Sequence, residues 1–299
     1  MQRHILYIIN PISGTRKKAE LRNVIEKETK RKGIPFQIFP SVTNGDYSFL
    51  HPTIKDGNIT DVVIAGGDGT ANHVIRSLKI FNVQFGIIPC GSGNGLAFSA
   101  GIPKNIKAAL EIIFNGNSNW CDAFVVNHEF ACMLCGLGLD AQVAHDFSMG
   151  AKRGVTSYIR KTIANFFLAK VYPFNVEISG TQTKVEAYFI SVANSNQFGN
   201  KFTIAPKASL MDGMLDVVII CKQSKLNALW QTFKQVTGHN KLQQVEMLSE
   251  KASVIYFQTP SMQLINPALA PMHIDGEPVG SHKELNFQIL PKCFKLICH

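Results

Sequence analysis

The sequence has no apolar run near the roughly 18 residues that a membrane-spanning helix needs. The opening stretch, Met1 to Asn10, reads as a strand running into a turn. It lacks the apolar core and small-residue cleavage site of a signal peptide, so a cytoplasmic protein is expected. Charged residues are scarce at 17%, against 45% apolar, which excludes wholesale disorder and leaves ample material for a core. Low-complexity linkers and internal repeats are absent, and so is zinc-finger spacing or any other nucleic-acid signature. Acidic residues are in deficit, 21 against 30 Lys and Arg, for a formal charge of +9. That balance suits nucleotide phosphates or an anionic membrane, with nucleic acid the lesser reading. The seven cysteines are odd in number, which argues against a disulfide framework. Cys132 and Cys135 form a C-x-x-C, but inside the apolar stretch from Phe130 to Leu139 and with no second pair at ligand spacing. A buried strand is expected there, not a metal or redox site.

What is present falls into two rhythms. Up to about residue 122, short apolar runs alternate with helical spacing. Ile5 to Ile9, Phe36 to Phe39, Asp61 to Ala65 and Phe85 to Ile88 read as strands. Residues 16–32, the stretch to Leu78 and Ile106 to Phe114 read as helices. Strand–turn–helix repetition implies a parallel sheet covered by helices. Beyond residue 122, strand-like pieces dominate: Ala123–Val126, Phe130–Leu134, Phe174–Ile178, Val185–Ala193, Leu215–Cys221, Val254–Phe257 and Leu285–Ile289. Two helical segments interrupt them, at Val155 to Lys170 and Leu226 to Val236. The second carries Leu226, Leu229, Trp230 and Phe233 at helical spacing. The expected fold is an α/β nucleotide-binding domain over residues 1–122 and a β-rich, β-sandwich domain over 123–299. The last strand, near Phe294 to Ile297, is left open to return to the first domain.

The chemistry concentrates in three turns at strand ends. Gly66-Gly67-Asp68-Gly69-Thr70 allows a sharp backbone turn into a helix whose first N–H groups make a ready phosphate site. Asp68 would repel phosphate unless a magnesium ion, or water bound to one, lies between them. Pro89 to Ala97 is a second glycine-rich turn, in which Gly91 and Gly93 permit close backbone approach while Ser92 and Asn94 offer neutral hydrogen bonds. Two such turns at consecutive strand ends build one cleft, where ligands bind in parallel sheets. Asn10 to Gly14 ends the first strand and leads to Thr15, Arg16, Lys17 and Lys18, a set that suits a triphosphate as well as a solvated helix face.

The three turns, in this order and spacing, resemble the diacylglycerol kinase and sphingosine kinase family, including its small bacterial lipid kinases. The resemblance continues through Gly136-Leu137-Gly138-Leu139-Asp140-Ala141, Ala205-Pro206-Lys207-Ala208, Asp212-Gly213-Met214-Leu215-Asp216 and Asp275-Gly276-Glu277. It implies a kinase that uses ATP and Mg²⁺ to phosphorylate a hydroxyl of a membrane lipid, of diacylglycerol or sphingoid type. Peripheral residence at an anionic membrane surface is expected from the Val155–Lys170 helix, whose apolar face flanked by Lys152, Arg153, Arg160, Lys161 and Lys170 suits a membrane or the lipid pocket as well as packing on its own domain; a homodimer is left open. By resemblance, Asn10, Thr43, Gly66, Gly67, Asp68, Gly69, Thr70, Gly91, Ser92 and Asn94 face the nucleotide. Glu277 is the general base, or Asp68 in the sphingosine kinase scheme, and Asp140 contacts the lipid. Asp212 supplies a carboxylate to a structural Mg²⁺, with the backbone carbonyls of Ser209 and Met214. Two departures stand out. Gly95 replaces the aspartate common in bacterial diacylglycerol kinases, and Phe198-Gly199-Asn200-Lys201 replaces a glycine cluster. The alternatives are an NAD-kinase-like enzyme with a soluble acceptor, and a nucleotide- or lipid-binding regulator without catalysis.

Overall fold

The computed structural model describes residues 3–11, 18–139, 141–142, 166, 168–197, 203–245 and 252–299. The chain divides into two units, Met1–Cys121 with Lys292–His299, and Asp122–Pro291.

In the first unit, β1 (Ile5–Ile9), β2 (Phe36–Pro40), β3 (Asp61–Gly66) and β4 (Gln84–Pro89) form a parallel sheet in the order β2-β1-β3-β4. The C-terminal end of the last strand extends it, pairing Lys295 with Gln84 and Leu296 with Phe85 in parallel register. All six residues of β3 are buried, as expected of a strand covered on both faces, where continuous β-branched runs replace alternation. Helices α1 (Lys18–Arg31), α2 (His51–Asp56), α3 (Asp68–Leu78), α4 (Gly95–Ser99) and α5 (Ile106–Asn115) make the crossovers and covers. The α5 helix starts on Asn105, whose side chain accepts from Ala108 N, and buries Ala109, Leu110, Ile113 and Phe114. At the lower end of the sheet, the fully buried Asp61 is held by the Arg3 guanidinium through two nitrogens. Arg3 also donates to the carbonyls of Ile113 and Phe114. A buried carboxylate survives only with such pairing.

The second unit is built from antiparallel pairs. Its strands are the end of β5 (Asn117–Val126), β6 (Glu129–Ala131), β7 (Leu134–Gly138), β8 (Tyr172–Ile178), β9 (Thr181–Ala193), β10 (Leu215–Cys221), β11 (Val254–Thr259), β12 (Ser261–Ile265), β13 (Met272–Ile274), β14 (Glu277–Val279) and the first part of β15 (Glu284–Cys298). The main path runs β14-β13-β7-β9-β8-β12-β15, with β10 and β11 continuing from β9. Alternate residues of these strands, among them Leu137, Phe174, Ile190, Val217, Phe257 and Phe287, meet in one apolar core. This is the β-rich sandwich that the strand spacing implied.

One difference is instructive. The apolar stretch from Phe130 to Leu139 is not one strand, because the ladder breaks at Cys132 and Met133. A carboxylate from elsewhere in the unit takes the backbone N–H groups at that break. Both C-x-x-C thiols are buried, but only Cys135 lies in a strand, β7, while Cys132 sits at the break. Residues 12–17 (with Ser13, Gly14 and Thr15), Asp140, most of 155–170 and Phe198 to Lys201 lie outside the described residues.

Candidate active site

Four strands of the first unit end at the same edge, and their turns are tied together there. The 66–70 turn passes directly into α3, with Gly67 as N-cap and no side-chain cap on the helix. Gly67 and Gly91 touch backbone to backbone: a Cβ on Gly91 would sit 2.5 Å from the Cα of Gly67. Glycine is therefore demanded at this crossing by close approach. Cys90 N donates to Gly66 O at 2.9 Å, so the β3–β4 ladder runs into both turns. Asn94 lies in the left-handed region (φ +60) and is almost fully buried. Its amide closes the second turn on itself: Oδ1 accepts from Gly91 N at 2.7 Å, and Nδ2 donates to Gly91 O at 2.8 Å. Asn94 thus shapes the turn, a role that its residue type alone did not reveal.

Side chains bind the turns to one another. Asn10, just past β1, donates to Thr70 Oγ1 at 2.7 Å. The carboxylate of Asp68 accepts from Leu96 N, at the start of α4, at 3.3 Å. Thr43 is exposed in the turn after β2. That loop is seated on α3 through Gly45 (φ +68), where a Cβ would fall 2.7 Å from the His73 ring. Tyr47 N also donates to Ser77 Oγ at 3.3 Å. Asn10, Thr43, Gly66 to Thr70, Gly91, Ser92 and Asn94 accordingly share the edge formed by the C-terminal ends of β1 to β4. This edge is where parallel sheets bind ligands.

In the second unit, Asp275 and Gly276 form the two-residue turn of the β13–β14 hairpin, both at positive φ (+49 and +85). That is the turn geometry for which Asp-Gly is suited. The Asp275 side chain has a second task. It is buried, and its carboxylate accepts from the N–H groups of Cys132, Met133 and Leu134 at 2.8, 2.9 and 2.9 Å. This is what breaks the apolar stretch into β6 and β7. Asn194 holds the same bend from another side, donating to Asp122 O and Cys132 O. Glu277 follows the turn, exposed, and pairs across the hairpin with Ile274. The bend and the hairpin that carries Glu277 are therefore one hydrogen-bonded assembly.

A group of acidic residues forms the third feature. Asp122 is almost fully buried and accepts from Gly213 N at 2.7 Å. Asp212 is exposed and accepts from Met214 N at 3.1 Å. Burial, and then the neighbouring charge of Asp122, raise its pKa. Asp216 is fully buried, and burial pushes its pKa up to about 6, although Gln258 and Tyr256 both donate to it. Gln258 Nε2 lies between the two, 3.4 Å from Asp212 and 3.0 Å from Asp216. Ser209 sits in the preceding loop, where its hydroxyl accepts from Met211 N. No cluster of three or more His, Cys, Asp or Glu side chains suited to a metal occurs among the described residues. A cation here would draw on one carboxylate and on backbone oxygens.

Comparison with known proteins places the two units in a family. Residues 4–126 match the family described as "Diacylglycerol kinase catalytic domain", and residues 134–298 match "YegS C-terminal NAD kinase beta sandwich-like domain". A protein of Shewanella frigidimarina described as "Probable lipid kinase YegS-like" is 25% identical over 257 residues, covering 83% of this chain and 79% of its own. A "Diacylglycerol kinase" of Staphylococcus aureus is 25% identical over 285 residues, covering 94% and 88%. A solved diacylglycerol kinase structure from Bacillus anthracis str. Sterne has a TM-score of 0.73 at 18% identity, covering 99% of this chain and 97% of its own. The chain belongs to the bacterial lipid kinase family, whose members join an α/β catalytic domain to a YegS-type β-sandwich. It is accordingly a kinase that acts on a lipid.

Proposed function

We propose that the chain transfers the γ-phosphoryl group of ATP, taken as its Mg²⁺ complex, to the free hydroxyl of diacylglycerol. The observation that carries this reading is the backbone contact of Gly67 with Gly91. It joins two glycine turns and the start of α3 into a single edge. The first N–H groups of α3 would receive phosphate oxygens, favoured by the helix dipole. Thr43, Ser92 and Thr70 supply neutral hydrogen bonds beside them. Asp68, oriented by Leu96 N–H, is the carboxylate that would help hold the metal of the nucleotide. That metal neutralises charge on the phosphates when bound.

In the reaction, the lipid hydroxyl oxygen bonds to the γ-phosphorus as the bond to the β–γ bridging oxygen breaks, releasing ADP. The hydroxyl proton needs an acceptor, and Glu277 is assigned that role. Asp275 holds the Glu277 hairpin against the 132–134 bend. The acidic group at Asp122, Asp212 and Asp216 suits a structural Mg²⁺ held by Asp212 and the carbonyls of Ser209 and Met214. A bound cation would offset the burial and, after it, the neighbouring charge of Asp122, which together raise the pKa of Asp212. Asp140 is retained as the proposed lipid contact.

The test is transfer of label from ATP to mixed micelles of diacylglycerol, sphingosine, ceramide or phosphatidylglycerol, with NAD as a soluble control. Labelled phosphatidic acid alone is expected. A labelled sphingoid base would reassign the acceptor, and labelled NAD would overturn the lipid reading. ATP binding with no labelled product would favour a non-catalytic regulator.

A further inference from the structure

The helix α6 (Lys225–Val236) is turned inside out. An amphipathic helix on a protein surface normally buries its apolar stripe and exposes its polar one. Here the buried positions are Ala228 and Gln235, and Gln235 Nε2 donates to Ile204 O at 2.9 Å inside the fold. Leu226, Leu229, Trp230 and Phe233, at spacings of three and four residues, point the other way. Their exposures are 73, 37, 54 and 56%. The Trp230 and Phe233 rings stack with centroids 5.7 Å apart, so they form one continuous apolar ridge. A ridge of four large side chains on one stripe is an interaction surface in the making.

Its surroundings say what it meets. From residue 217 to 245 the sequence holds Lys222, Lys225, Lys234 and Lys241 and not one Asp or Glu. Lys234 Nζ lies 5.6 Å from the Trp230 ring centroid. Lys222 is paired with Glu186, and Lys225 donates to the Phe166 and Ala169 carbonyls. Among the described residues of this stretch, Lys234 and Lys241 thus remain to set the sign of the rim. Tryptophan, phenylalanine and leucine on one stripe with lysines beside it match the boundary between acyl chains and anionic headgroups.

We propose that α6 is a membrane-docking helix: its Leu226–Leu229–Trp230–Phe233 ridge inserts into the surface of an anionic lipid bilayer, with Lys234 and Lys241 against the headgroups. This rests on the lipid kinase reading for its purpose, although vesicle binding can be measured without any activity. The experiment uses the full chain with Trp120→Phe, which leaves Trp230 as the lone tryptophan reporter. Vesicles of phosphatidylcholine with and without phosphatidylglycerol are added, and sedimentation and Trp230 emission are followed. Binding that rises with phosphatidylglycerol, falls with salt and blue-shifts the emission is expected. The double change Trp230→Ser, Phe233→Ser removes exposed side chains, so the fold should persist. It should weaken vesicle binding about tenfold or more.

Phosphorylation of a short-chain, water-dispersed diacylglycerol should be unchanged in that variant, while phosphorylation of vesicle-borne diacylglycerol falls with binding. Vesicle binding unaltered by the double change would overturn the proposal. So would a wild-type dimer that becomes monomeric in the variant while vesicle binding persists, for the ridge would then be a contact between copies. If no lipid is phosphorylated in any form yet binding falls as stated, the docking helix stands and the kinase reading fails.

Discussion

At the scale of single residues, two neighbouring acids carry different burdens. Asp275 is buried and satisfies three backbone N–H groups, whereas Glu277 is exposed at the head of β14. Glu277→Gln should leave the melting temperature and ATP affinity nearly unchanged. It should lower transfer by about 10²-fold or more, the usual worth of a general base. Unchanged turnover would move the base assignment to Asp68. Asp275→Ala should instead strand three buried donors and cost ~3 kcal/mol or more, read as a lower denaturant midpoint. The D-G-E pattern showed these residues together, but it did not show that the aspartate is architectural. Its three partners lie more than 140 positions away in the chain.

Among the elements, the paired glycine turns are tightly constrained. A methyl group on Gly91 would meet the Cα of Gly67 at 2.5 Å and the Asn94 oxygen at 3.1 Å. Backbone cannot yield as a side-chain tip can, so Gly91→Ala should push the two turns apart. The expected result is a loss of ATP affinity of tenfold or more by calorimetry, from a displacement of the phosphate-facing N–H groups. The circular dichroism should stay native. A variant that binds ATP as the parent does would remove this edge from the nucleotide site. The helix α6 belongs at this scale too. Its periodicity was legible in the sequence, but the periodicity does not say which way the stripe faces. That was decided by Gln235, which takes a buried carbonyl and so turns the ridge outward.

At the scale of the whole chain, two features can be probed. The strand β15 leaves the β-rich unit and completes the parallel sheet of the other. There Phe294 meets Phe85 edge to face at 6.1 Å, and His299 N donates to Ala100 O. Truncation after Pro291 should therefore expose β4 as a sheet edge and lose the fold of the first unit, seen as aggregation or loss of ATP binding. A truncated chain that retains full ATP affinity would contradict this. The second feature is the acidic group around Asp212. Chelation with EDTA should lower the melting temperature of the parent, and Asp212→Asn should remove most of that difference. If the parent melts identically with EDTA and with Mg²⁺, the structural cation is excluded.

The sequence by itself determined the two rhythms of the chain, the parallel sheet followed by the β-rich unit, and the glycine turns at the ends of the parallel strands. These are local properties: apolar periodicity sets secondary structure, and glycine at a strand end permits a turn wherever it occurs. The resemblance also marked Asp275-Gly276-Glu277, with Glu277 as the general base. Only the tertiary structure decided what depends on distant pairs. It brought Gly67 onto Gly91, tied Asn10 to Thr70 and Asp68 to Leu96, and let Asp275 interrupt an apolar stretch that reads as one strand. It also set the outward face of α6. A hydrogen bond or a backbone crossing between remote residues leaves no periodicity in the chain, so the fold had to form before these contacts could be seen.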